Sequence, residues 1–247
     1  AAATFMRGID FIQIPTTLLA QVDSSVGGKV GVDYGSFKNV VGAFYQPKFV
    51  YINTSTLNTL PKREFSAGMA EGIKYGIIQS EDFYNYLCEN KEKIKAFDTD
   101  MLKYIIRSCC DMKACVVGRD EHDTGEREIL NYGHTIGHAV EGLKEFEILH
   151  GECVSIGMAA VMDISVKRGY ITAEKAEEIK ELQKFFDLPV SVSGLEADAV
   201  YEQLFHDKKV NSDKLKFVIA DSIGSTIRTS DVSKDEVMNA ITSVLEG

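Results

Sequence analysis

No apolar run in this 247-residue chain approaches the roughly 20 residues needed to cross a bilayer, and no basic, apolar, small-residue leader opens it. The expectation is a cytoplasmic protein. Cysteine is scarce: five residues, with Cys109 and Cys110 adjacent and Cys115 five further on, form neither a disulfide framework nor a CxxC metal knuckle. Free buried thiols in a reducing compartment fit that pattern. Basic charge is in deficit as well, and a formal net charge of −10 argues against nucleic acid or an anionic membrane as partner. Any anion this protein binds must be held by a local cluster of Lys and Arg. Walker, GxGxxG and HExxH patterns, internal repeats and low-complexity segments are all missing. What remains, at 45% hydrophobic and 26% charged residues, is an ordinary globule able to bury one large core or two small ones.

Against that background one stretch stands out, REILNYGHTIGHAVEGLKEFEILHGE from Arg127 to Glu152. Three of the five histidines, His134, His138 and His150, fall here within 17 positions. Ile129, Ile136, Val140 and Leu143 recur at helical intervals, which predicts one helix carrying His134 and His138 on the same face. Two imidazoles one turn apart can reach one metal ion. They can equally be a surface pair or hydrogen-bonded core groups. Arg127 and Asn131 continue the same face backwards, so the helix is expected to carry a polar stripe that needs partners in a cleft. Gly151, beside His150, leaves room for a ligand to approach.

Upstream, GIDFIQI (8–14) reads as a strand ending at Pro15-Thr16-Thr17, and FVYI (49–52) as another. Between them QVDSSVGGKVGVD (21–33) sets Asp23, two glycines and Lys29 in a loop suited to an anion, or simply in a glycine-rich hairpin turn. After Pro61 the pattern becomes helical. Phe65, Met69, Ile73 and Ile77 make an apolar stripe, beside which Glu71 and Lys74 are surface neighbours, ordinarily a solvated pair. Gly68, Gly72 and Gly76 on the same segment point to close packing or ligand approach, in which setting Glu71 could be an oxygen ligand. Two further helices are expected over 81–117, a strongly apolar central one over 153–169, an amphipathic one over 172–186 and a short one over 197–205. A hairpin of KLKFVIA and STIRT follows, and Ser233 with Glu236 forms a capping box for the last helix.

Five motifs in order, PTTLLAQVDSSVGGK, AGMAEGIKYG, LNYGHTIGHA, LHGE and HDKK, closely resemble the 3-dehydroquinate synthase family over essentially the whole chain. The resemblance implies an α/β remnant of a Rossmann-like NAD-binding domain over 1–60 and a mainly α-helical metal- and substrate-binding domain over 61–247, an architecture related to glycerol and iron-type alcohol dehydrogenases. It implies an NAD- and Zn²⁺- or Co²⁺-dependent lyase of the shikimate pathway. Such an enzyme converts 3-deoxy-D-arabino-heptulosonate 7-phosphate to 3-dehydroquinate with release of phosphate, and the family is expected to form homodimers. By the family pattern Glu71, His134 and His150 are the metal ligands, and His138 becomes a substrate contact, which revises the pairing that spacing suggests. Arg7, Asp23, Lys29, Asn39, Lys74, Lys113, Arg127, Asn131 and Lys208 (or its neighbour Lys209) match positions that hold the substrate's carboxylate, hydroxyls and phosphate. Thr16, Thr17, Asp23, Lys29, Lys38, Asn39, Thr56, Leu57, Asn58 and Thr59 match positions lining the NAD site. The family's glycine-rich NAD motif precedes the point where this chain starts, and the expectation is a fragment. Two alternatives stand beside this reading: another sugar phosphate cyclase acting on a substrate without the carboxylate, and a metal-binding fragment that does not turn over.

Overall fold

A computed structural model describes residues 1–34, 37–145, 147–206 and 215–246, of which 33, 34, 37–39 and 206 are described in main chain only. The first sixty residues hold short strands: β1 (Ile12–Gln13) pairs in parallel with β4 (Phe49–Val50), and β2 (Lys29–Tyr34) pairs antiparallel with β3 (Phe37–Phe44). Eight α-helices follow among the described residues: α1 (Lys62–Gln79), α2 (Glu81–Lys95), α3 (Thr99–Arg119), α4 (His134–Leu143), α5 (His150–Lys167), α6 (Ala173–Phe185), α7 (Ala197–His206) and α8 (Lys234–Thr242). The hairpin of β6 (Phe217–Ser222) and β7 (Ser225–Thr229) lies where expected, and β5 (Val192–Ser193) pairs with β8 (Leu245–Glu246). No helix among the described residues is long and apolar enough to cross a membrane.

Short polar side chains set the helix starts by accepting hydrogen bonds from main-chain N–H groups that have no partner within the helix. Ser80 accepts from Phe83 and Asp98 from Asp100 and Met101, while Thr172 accepts from Lys175. The capping box of α8 is present as predicted: Ser233 Oγ accepts from the Glu236 N–H at 3.2 Å, and Glu236 Oε2 accepts from the Ser233 N–H at 2.9 Å. Arg168, at the end of α5, donates to both Glu236 oxygens at 2.7 and 3.1 Å. Those bonds hold the Glu236 carboxyl at about 2, below its usual 4.5.

The centre of the molecule is α5, apolar on every side and buried continuously from Gly151 to Met162. A helix without a polar face must be surrounded, and α1, α4, α6 and α8 pack around it. Two of its contacts are so close that only glycine fits. A Cβ on Gly157 would stand 1.9 Å from the Gly133 carbonyl oxygen, and one on Gly151 would stand 2.0 Å from that of Ala67 in α1. The expected room for a ligand at Gly151 is therefore taken by α1, and this contact seats the first turn of α5 on α1. Arg63 of α1 reinforces it, donating to Glu152 Oε1 and Oε2 at 2.7 Å each, while Glu152 Oε2 also accepts from the Leu149 N–H at 2.8 Å.

Three further expectations are corrected. Of the glycines in α1, Gly68 touches Leu18 and Leu19 and Gly76 touches Tyr84, but a Cβ on Gly72 would meet nothing nearer than 3.9 Å. The helix predicted through Arg127 to Leu143 is two pieces, a 3₁₀ turn over Glu126–Asn131 and α4, separated by extended Tyr132 and by Gly133 at φ 77°. The loop expected over 21–33 is a π-helical turn (Ala20–Ser24), a bend, and then the start of β2 at Lys29. No disulfide joins the five cysteines, but the expectation of buried thiols holds only for Cys109 and Cys153, Cys115 being exposed.

Gly157→Ala is expected to lower the unfolding free energy by about 2 kcal/mol or more, because main chain rather than a flexible side chain must move. Gly72→Ala should be neutral or stabilising by up to about 1 kcal/mol, and urea unfolding of both variants checks the contrast. Glu236→Gln should cost about 1 kcal/mol at neutral pH. A carboxyl depressed on folding contributes stability above its unfolded value, so the deficit relative to the parent chain should shrink as pH falls from about 4.5 towards about 2.

Candidate metal centre and anion cleft

Glu71 and Lys74 lie one turn apart on α1 with side chains only 1% exposed, and they form an ion pair through Glu71 Oε2. The solvated surface pair that their spacing suggests is thus buried at the centre of the molecule. Glu71 Oε1 has no hydrogen-bond partner among the described residues. It points at two imidazoles, with His134 Nε2 3.6 Å away and His150 Nε2 3.9 Å away. Each ring engages protein through its other nitrogen, His134 Nδ1 facing the Tyr132 carbonyl oxygen at 3.0 Å and His150 Nδ1 facing Glu141 Oε2 at 3.5 Å.

This is a donor set suited to a divalent ion. Nitrogen and oxygen ligands about 2.0–2.1 Å from a tetrahedral ion stand roughly 3.3 Å from one another, so the two carboxylate-to-imidazole distances need to close by only a few tenths of an ångström. Burial lowers the affinity of His134 for a proton well below the usual imidazole range, and the nearby charges of Lys74, His138 and His150 act in the same direction, outweighing the bond to Tyr132. A neutral imidazole keeps the lone pair that a metal requires. His138 belongs to the same cluster, its ring centroid 5.3 Å from that of His134 and 5.6 Å from that of His150, and one nitrogen of each of the three rings lies within 4.8 Å of the others.

The local folding places these groups. Gly133 ends the 3₁₀ turn and starts α4, so His134, His138 and Glu141 form a stripe down one face of that helix. His150 opens α5, which the glycine contacts press against both α4 and α1.

Beside the imidazole cluster is a cleft of about 130 Å³ lined by Asp23, Lys29, Lys74, Lys113, Asp123, Arg127, Leu130, Asn131 and His134. Four cations face two carboxylates there, the reverse of the chain's overall acidity. Lys113 of α3 donates to the Asp23 carbonyl oxygen at 2.8 Å and pairs with Asp23 Oδ1 at 2.9 Å, and the Tyr75 hydroxyl donates to Asp23 Oδ1 at 2.6 Å. Burial pushes the Asp23 carboxyl up, but Lys113, Lys74 and the Tyr75 hydroxyl outweigh it and hold the group ionised far below the usual carboxylate range. Arg127 is 3% exposed and donates to the carbonyl oxygens of Glu121 at 2.7 Å and Gly27 at 2.9 Å. A Cβ on Gly27 would lie 2.3 Å from its guanidinium, so this glycine makes room for Arg127. Asp120 shapes the loop that delivers Arg127, accepting the N–H groups of Thr124, Gly125 and Arg127, and those bonds hold its carboxyl well below the usual range. Lys29 pairs with Asp123 at the edge of the cleft.

The residues matched to an NAD site form a neighbouring patch. Buried Gln21 donates to the Pro15 and Asn53 carbonyl oxygens and to Thr56 Oγ1, tying the Pro15–Thr17 segment to the 3₁₀ turn Thr54–Thr59. Thr16, Asn58 and Thr59 are exposed, Thr17 and Thr56 are half-buried, and the Leu57 side chain is in the core. Arg7 is exposed on a short 3₁₀ turn and is not among the residues lining the cleft. The Lys38 and Asn39 side chains, and the whole of Lys208 and Lys209, lie outside the described residues. Reading the sequence missed Gln21, Tyr75, Asp120, Asp123 and Glu141. Glu141 carries a signal in hindsight, since it is seven positions beyond His134 and so shares its helix face.

Comparison with known proteins accords with this arrangement. Residues 1–67 match the family model for the 3-dehydroquinate synthase N-terminal region, and residues 68–210 match the model for the C-terminal region. A 3-dehydroquinate synthase of Ruminiclostridium cellulolyticum is 50% identical over 243 residues, covering 97% of this chain and 68% of the relative. That of Acetivibrio thermocellus is 50% identical over 247 residues, covering 100% and 69%. Among solved structures, a 2-deoxy-scyllo-inosose synthase complexed with carbaglucose-6-phosphate, NAD⁺ and Co²⁺ superposes with a TM-score of 0.84 at 28% identity, covering 99% of this chain and 70% of the other. A 2-epi-5-epi-valiolone synthase from Streptomyces hygroscopicus subsp. jinggangensis, solved with NAD⁺ and Zn²⁺, gives a TM-score of 0.92 over 98% of this chain and 68% of the other, and at 22% identity it shows likeness of fold alone. With family models matched on both sides of residue 67 and half its residues shared with relatives of which it covers more than two thirds, the chain belongs to the 3-dehydroquinate synthase family.

Proposed function

We propose that this chain carries the metal- and substrate-binding machinery for converting 3-deoxy-D-arabino-heptulosonate 7-phosphate to 3-dehydroquinate, the shikimate-pathway reaction, with NAD and Zn²⁺ or Co²⁺ as cofactors. The observation that carries this reading is the convergence of Glu71 Oε1, His134 Nε2 and His150 Nε2 beside a cleft in which four cations face two carboxylates. In this reading residues 1–60 belong to the NAD-binding part and residues 61–247 to the part that holds metal and substrate.

When bound, the divalent ion would supply Lewis acidity at the substrate's hydroxyls, and NAD would accept and return a hydride. The chain's own residues do the rest. Arg127, Lys113 and Lys29 meet the carboxylate and phosphate, and Asn131 offers an amide to the hydroxyls. Burial of Arg127 and Lys113 strengthens their contacts, because less water screens them. Departure of phosphate places negative charge where the cleft's cations already are, so they lower the barrier without having to move. In this reading His138, whose ring lies 5.3 Å from that of His134, contacts substrate, and Lys74 keeps the Glu71 carboxylate from standing as an uncompensated buried charge.

A second reading rests on the donor set alone: these residues fold and bind metal but do not turn over. Incubating the chain with the keto-acid phosphate, NAD⁺ and Zn²⁺ or Co²⁺ distinguishes the two. The proposal expects phosphate and 3-dehydroquinate in equal amounts. Turnover of heptulose phosphates lacking the carboxylate, with none of the acid, would overturn the choice of substrate, and metal binding without phosphate release would support the second reading.

The ligand set has its own test. His150→Ala should weaken Zn²⁺ binding by about 100-fold or more, whereas His138→Ala should keep the metal and lose turnover. Metal stoichiometry after dialysis checks this, and loss of metal from His138→Ala would favour the three-imidazole set instead.

A further inference from the structure

Glu141 sits on α4 with 4% exposure, a carboxylate that neither the anion cleft nor the three expected ligands account for. It is seven residues beyond His134 and three beyond His138, so it completes the stripe that α4 turns towards the start of α5. Its Oε2 lies 3.5 Å from His150 Nδ1, and Glu71 Oε1 lies 3.9 Å from Nε2 of the same ring. One imidazole is thus held between two buried carboxylates on separate helices. The main chain cannot relax this geometry, because the Gly157 contact with Gly133 locks α4 to α5 and the Gly151 contact with Ala67 locks α5 to α1. His134 is arranged in parallel, its Nδ1 engaged by the Tyr132 carbonyl and its Nε2 facing Glu71.

We infer that Glu141 is a positioning residue for His150: it accepts the Nδ1–H, fixes the tautomer whose Nε2 lone pair faces Glu71, and so sets the affinity of the site for a divalent cation. Two physical effects act together. The acceptor prevents the ring from turning over, and its negative charge adds to the attraction of the site for a cation in a region of low dielectric. The 3.5 Å separation is long for a hydrogen bond and is expected to shorten when a cation draws the ring's electrons through Nε2. The inference rests on reading His150 as a ligand.

The test uses the full 247-residue chain. In Glu141→Gln, Zn²⁺ affinity measured by competition with a chelator should fall by about 10- to 100-fold, and the visible absorption of the Co²⁺ form should shift because one ligand is no longer held in orientation. Thermal unfolding of the metal-free variant is followed alongside. A loss of stability with unchanged Zn²⁺ affinity and an unchanged Co²⁺ spectrum would mean that Glu141 only packs, and would overturn the inference. Should the variant fail to fold, ¹⁵N-histidine NMR of the unaltered chain decides: His150 as the Nδ1–H tautomer supports the inference, and the Nε2–H tautomer overturns it. His150→Ala separates this question from the ligand reading. If that variant keeps full Zn²⁺ affinity the ligand reading fails, whereas a drop in His150→Ala with none in Glu141→Gln means that only the role of Glu141 is wrong.

Discussion

A carboxylate removed from water must find positive charge or revert to its neutral form, and Glu71 is nearly inaccessible on the most buried face of α1. Lys74 satisfies one of its oxygens and leaves the other aimed between two imidazole nitrogens. The remainder of the structure can be read as the apparatus that keeps that unsatisfied oxygen and those nitrogens in register. Helix α1 supplies the carboxylate, α4 one imidazole and α5 the other, and α5 meets both of its neighbours at glycines where main chain touches main chain. Close-packed interiors transmit displacement, so a shift of one helix would be felt directly as a change in donor spacing.

Electrostatics extends from this centre outward. Lys74 contacts Glu71 and also helps hold Asp23 ionised, Asp23 takes up Lys113 and Tyr75, and Arg127 reaches back to the Gly27 carbonyl oxygen. The strand-bearing first sixty residues and the helical remainder are joined through these polar contacts as well as by apolar ones such as Leu18 against Gly68. The cleft therefore lies at the seam between two differently built parts of the chain, where side chains from both can meet one ligand.

Much of this was legible in the sequence, and the particular failures are instructive. The all-round apolar character of α5 announced burial, Ser233 with Glu236 announced the start of α8, and the three-residue spacing of Glu71 and Lys74 announced that they touch. The positions 127, 131, 134 and 138 imitate one helix face because the first three side chains line one cleft and the fourth lies against His134, yet Gly133 lets the chain reach it by a turn and a fresh helix instead. Gly151 signalled a close approach, but a single residue cannot say whether ligand or backbone does the approaching. Asp123 acquires meaning only from Lys29, brought to it by tertiary packing, whereas Asp120 holds its own following loop and Glu141 shares the helix face of His134, local signals too slight to name a role. The order of five motifs carried the family, and with it a choice among ligand sets that spacing alone left open.

The pairing of Lys29 with Asp123 and of Lys113 with Asp23 means that the cleft carries internal counter-ions before any guest arrives. An entering anion therefore exchanges partners with these carboxylates rather than meeting bare charge, and its gain is the difference between two sets of ion pairs. Such exchange favours a guest that offers several anionic groups in a fixed arrangement over the small monovalent salts of the surrounding solution. In a strongly acidic protein this arrangement keeps Lys29 and Lys113 available, each neutralised until something better shaped replaces its resident partner.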